Sequence, residues 1–329
     1  MSLENPVVWL SHMNCSEYDT WLPPSAKEFL GALDGTYLTL LILAILATTA
    51  VIVVGILHWY FVRYFVSSRS KRTSLFWFIG LFPVASICCL MGLFMPRTST
   101  FMFAVAWIYL TVCLLILIRV MQQLFGGRGA MSKYLFDNHQ KISFRVPPCC
   151  CCLKFLPEAE PTESNLRKLE FLVLQTLVVR VILTIISITA VLELHQDAER
   201  LISIVSIIAG ISTVSALFGC HTLATLAKEK LAPYRFVALF RILDFTLALF
   251  GLQQLICDIL INFDVYSCGP LLSPQDKSRY WNGFLLIFEM LALSGLASYL
   301  FKPTKTAIFD RHPCQIVTDR SVPETLYQL

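Results

Sequence analysis

Charge is what this sequence has little of. Only 15% of its 329 residues are Asp, Glu, Lys or Arg, against roughly 25% in a soluble domain. The shortage is concentrated: Tyr37–Val62, Leu75–Met95, Phe101–Ile118 and Leu201–Ala227 contain none of the four. Spanning a bilayer takes about 20 such residues, so a soluble fold is excluded. The first apolar run is not preceded by a basic segment or followed by a small-residue cleavage site, and it reads as a spanning helix, not a removable signal peptide. No heptad, solenoid or propeller repeat is visible. Gly126-Gly127-Arg128-Gly129 lacks the Lys-Ser/Thr that completes a phosphate-cradling loop, so ATP use is not indicated. His58, His195 and His221 are scattered without metal-ligand spacing, and no Ser/His cluster occurs. These absences argue against an enzyme and imply no metal and no cofactor. The net charge of +4 forms no patch with interleaved aromatics, so nucleic acid is not an expected partner.

Three further runs span once embedded charges are allowed: Phe171–Leu192 with Arg180, Phe236–Ile261 with Arg241, Asp244 and Asp258, and Tyr280–Phe301 with Glu289. The expectation is an all-α integral membrane protein with seven transmembrane helices. Eighteen Lys and Arg fall in one set of connections and five in the other. The positive-inside rule then puts the N-terminus outside and the C-terminus in the cytosol. The chain divides into an extracellular segment (1–36), a seven-helix domain (37–301) with a cytosolic loop at 122–168, and a cytosolic tail (302–329). Asn14-Cys15-Ser16 is a glycosylation sequon on the outer side.

Within the long cytosolic loop stand four adjacent cysteines, Cys149, Cys150, Cys151 and Cys152. Neighbouring residues in an extended chain splay their Cβ atoms and do not suit a disulfide, and zinc sites want gaps between ligands. A reduced cytosolic run beside a membrane is suited to S-palmitoylation, which would hold the loop on inner-leaflet lipids. Bare thiols and metal binding are the alternatives.

FGGRGAM (Phe125–Met131) followed by VPPCCCC (Val146–Cys152) resembles the alpha subunit of the organic solute transporter. KRTSLFW and VASICCLMGLFMPR (Lys71–Arg97) are similar to its second helix, and LLIFEM (Leu285–Met290) to its last, with an embedded Glu. The register holds from about residue 30 to 301; the N-terminus and the tail after Lys302 show no match. The resemblance implies a facilitative plasma-membrane transporter for amphipathic anions such as bile acids and conjugated steroids. It implies work without ATP or sodium coupling, as a heterodimer with a single-pass beta subunit. The family setting is basolateral in epithelia, with endoplasmic reticulum residence during assembly. Arg241 and Asp244 depart from the more apolar sixth helix of the vertebrate subunits, which leaves the cargo open.

Ionisable groups inside spanning helices are costly and are functional candidates by default. An amphipathic anion needs a cation in an apolar slot, and a guanidinium offers paired donors. Arg180 and Glu289, both near mid-depth, are therefore substrate-binding candidates, together with Arg241, Asp244, Gln253 and Gln254. Arg180 and Glu289 could equally form a structural ion pair with each other. Arg241 and Asp244, three apart on one face, could pair, and Arg241 could instead snorkel to the interface, as Arg119 is expected to do. Gln253, Gln254 and Asp258 extend a polar stripe outward. On the oxidising side, Cys15 and Cys268 are expected to form a disulfide; Cys268 with Cys257 is the alternative. A receptor-like or trafficking role is the alternative function, although no acidic-Arg-aromatic element ends helix three and helix seven lacks Asn-Pro-x-x-Tyr.

Overall fold

The structure, a computed structural model, describes residues 23–146, 158–194, 198–263, 265–266 and 271–312. Asn14, Cys15, Cys149–Cys152 and Cys268 lie outside these. The described residues are almost wholly helical, with seven helices long and apolar enough to cross a membrane. In chain order the helices are α1 (Ala26–Gly31), α2 (Gly35–Phe65), α3 (Arg69–Ile79), α4 (Leu81–Phe94), α5 (Ser99–Phe125), α6 (Arg128–Asp137), α7 (Glu163–Leu194), α8 (Ala198–Ala227), α9 (Phe236–Asn262) and α10 (Pro274–Leu300). Together α3 and α4 form the second span.

Local chemistry sets the ends. Ser25 and Glu28 cap α1 reciprocally, and the Ser25 backbone N–H and hydroxyl hold the Glu28 carboxyl below its ordinary range. Asp34 accepts the Gly35 N–H at 2.8 Å to start α2. Inside the spans, hydroxyls such as Thr39 and Thr49 donate to carbonyls four residues back, which satisfies them where no water is available.

The second span breaks between Ile79 and Leu81. Pro83 has no N–H to give the Ile79 carbonyl and its ring crowds that position. The Trp77 carbonyl turns to accept the Tyr109 hydroxyl at 2.6 Å. Gly80 is needed for this approach, because a Cβ there would lie 2.1 Å from the Tyr109 oxygen. Around this kinked span pack α2, α5 and α10, and the share of it buried inside the protein is 56%. In contrast, α7 and α8 pack chiefly on each other, with 17% and 22% buried. They join closely because Gly219 faces the Leu169 carbonyl, where a Cβ would sit at 3.0 Å.

One end of the bundle carries the basic connections and is the more elaborated. After α5 the chain turns through Gly126 (φ +87°) and Gly127 (φ +119°), a left-handed excursion that suits glycine. The turn delivers Arg128 to the Glu170 carboxylate of α7 in a two-pronged ion pair, and Gln122 donates to the same carboxylate. Glu170 holds the Arg128 guanidinium above its ordinary range. Ile142 and Ala159 exchange backbone hydrogen bonds and so close the base of the segment that contains the cysteine run. Beyond α10 the chain folds back across this end. Asp310 accepts the Ser67 N–H at 2.8 Å and the Ser67 hydroxyl, while Phe309 packs with Val62, Val66 and Leu75.

Candidate functional site

Arg180 lies midway along α7, and three helices define its surroundings. Its Nη2 donates to Thr213 Oγ1 on α8 at 2.9 Å. That hydroxyl is free to accept because its own proton goes to the Ala209 carbonyl. The guanidinium carbon stands 4.4 Å from the centre of the Trp107 ring on α5, a cation–π distance. The Nε is buried without a partner. A guanidinium carries five N–H donors, so one hydroxyl leaves capacity unspent.

Behind Arg180, Trp107 rests on α9. Its ring centre is 6.0 Å from that of Phe250, and its far edge lies against Gly251, where a Cβ would be 3.7 Å away. Phe250 in turn meets Phe103 at 5.8 Å. The arrangement is a cation on the edge of an aromatic floor. It can hold an oxyanion through the guanidinium and an apolar body against the partly exposed Trp107 and Phe103, with the fully buried Phe250 supporting both rings from behind.

Glu289 belongs elsewhere. Its Oε1 accepts from Gln253 Nε2 at 3.3 Å, and none of the described ion pairs includes it or Arg180. Gly251, which faces Trp107, and Gln253, which faces Glu289, are two residues apart on α9. At 100° per residue they lie about 200° apart around the helix. The structural Arg180–Glu289 pair is therefore not formed, because α9 separates the two groups.

The other candidates are also resolved into separate places. Asp244 does not pair with Arg241. Its carboxylate meets His221 Nε2 of α8 at 3.4 Å, and the His221 ring packs edge-on against Phe240 at 4.7 Å. Arg241 is exposed, as is Arg119. Gln254 accepts from Asn282 at 2.9 Å and donates to Asp258 at 2.8 Å. Cys257 is a buried free thiol, and Cys268, the partner named for it as an alternative, lies outside the described residues. Sequence reasoning missed Trp107, Thr213, Asn282 and the Arg128–Glu170 pair, all of which act through neighbours distant in the chain. Among the described residues no cluster of His, Cys, Asp or Glu could hold a metal.

The described residues thus form a helical bundle suited to a membrane, with a partly satisfied cation beside an aromatic floor. Residues 39–306 match the family described as organic solute transporter Ostalpha, so the chain belongs to the organic solute transporter alpha family. It is 38% identical to organic solute transporter alpha-like protein 3 of Caenorhabditis elegans over 302 residues, which cover 91% of this chain and 86% of that protein. Alpha-like protein 1 of the same animal is 32% identical over 88% of this chain and 76% of its own length. The human organic solute transporter subunit alpha is 26% identical over 85% of this chain and 83% of its own. No solved structure matches.

Proposed function

We propose that this protein is the membrane-spanning subunit of a facilitative carrier for amphipathic organic anions, bile acids and conjugated steroids among them. It acts at the plasma membrane, on the basolateral side in epithelia, with a single-pass beta subunit and without ATP or sodium coupling. Its basic end faces the cytosol. The observation that carries this reading is the Arg180 guanidinium, set among apolar residues with donors to spare. A sulfate or carboxylate accepts two of those donors in parallel, while Trp107 and Phe103, backed by the buried Phe250, take the hydrophobic body. Cells expressing the chain with a family beta subunit should take up labelled steroid sulfate down its gradient, with and without sodium. Either subunit alone should not. Equal uptake by cells expressing neither subunit would refute the assignment.

A further inference from the structure

The seam between α9 and α10 has a surplus of acceptors. Gln253 and Glu289 share one hydrogen bond, which leaves Gln253 Oε1 and Glu289 Oε2 buried with no partner. Two turns along α10, Asn282 is 0% exposed. Its Nδ2 serves Gln254, and its Oδ1 is again unpartnered. All three leftover atoms are oxygens, and an unsatisfied polar atom in a bilayer core is costly.

Among the described residues no cation pairs with Glu289 to balance an ionised carboxylate. From α9 come the neutral Gln253 and, farther along, the acidic Asp258; from α4 the Cys89 thiol is in electrostatic reach. On α2 the titratable side chains set against α10 are Tyr37, packed on Tyr280, and His58, joined to Ser298; Tyr280 and Ser298 are each nine residues along α10 from Glu289. Arg279 on α10 itself is ten residues away at the other side and is paired with Asp276. Arg180 lies across α9.

One proton satisfies two of the three oxygens at once. A protonated carboxyl donates from one oxygen and accepts at the other. A carboxamide does the same, so the two groups complete a reciprocal pair. We propose that Glu289 binds a proton in the resting protein, forming an acid–amide pair with Gln253. The site is distinct from the Arg180 floor and stands whether or not that floor binds an anion. Loss of the proton places a bare carboxylate in the seam and loosens α9 from α10, which makes the carrier responsive to pH.

The test uses the full chain in lipid nanodiscs. The infrared difference spectrum between wild type and Glu289→Gln should show the carbonyl stretch of a protonated carboxyl, shifted on transfer to deuterated buffer. Glu289→Gln should keep the wild-type melting temperature, because a carboxamide makes the same reciprocal pair without charge. Glu289→Ala should lower it. A difference spectrum with carboxylate bands in place of the carboxyl band would overturn the proposal. A Glu289→Gln chain that fails to assemble, or melts with Glu289→Ala, would overturn it as well.

Discussion

The α2–α5 and α10 group and the α7–α8 pair are built from equally apolar helices, yet they bury themselves differently. The first wraps a kinked span in whose apolar stretch 56% of the residues are buried, while in the second only 17% and 22% are. Lipid is as apolar as leucine, so hydrophobicity does not drive this difference; packing, hydrogen bonds and small residues do. The core supplies Trp107 and, through α9, Phe250 and Gly251. The pair supplies Arg180 and Thr213. The candidate anion site thus lies where a fixed floor meets a loosely attached wall, the arrangement in which a wall can move and a floor need not.

The largest effect that would break this comparison is in the core. Phe250→Ala should destabilise the protein by about 3–5 kcal/mol through lost packing and an unfilled cavity. Ile182→Ala, on the outward face of α7, should change the melting temperature in nanodiscs hardly at all. Equal losses would show that the pair is packed as firmly as the core. Next, Glu170→Ala should cost about 2 kcal/mol, because it strands a partly buried guanidinium and removes the bond from Gln122. Its signature should be raised hydrogen exchange confined to α6 and the adjoining end of α7. Exchange that rises equally in α2 and α10 would count against a local tie. The smallest effect sharpens the site itself. Thr213→Val removes the one hydroxyl that fixes Arg180 and should weaken anion affinity by roughly fivefold, about 1 kcal/mol, with surface protein unchanged. Unaltered affinity would show that Trp107 alone sets the guanidinium.

The spans were legible because hydrocarbon tolerates so few charges, and Arg180 and Glu289 stand out for the same reason. The start of the second span was not. Arg69, Lys71 and Arg72 read as a loop, yet they form the opening turns of α3. Charges at a helix end are solvated and do not break it, and Arg72 turns back to the Val66 carbonyl at 2.7 Å. The separation of Arg180 from Glu289 was hidden because hydropathy reports depth but not direction around a helix. Counting from Gly251 to Gln253 reveals it only once Trp107 is known to lie on the glycine. Likewise, His221 looked isolated in the sequence because its partner, Asp244, comes from the next helix.

The central claim is that Arg180 is the counter-charge of the transported anion. Uptake of labelled steroid sulfate, normalised to surface protein and measured with the beta subunit present, tests it directly across wild type, Arg180→Lys and Arg180→Ala. Near-complete loss is expected for Arg180→Ala at normal surface levels. Arg180→Lys should retain part of the activity, since it keeps the charge but not the two-pronged fork. Wild-type uptake by Arg180→Ala would contradict the claim.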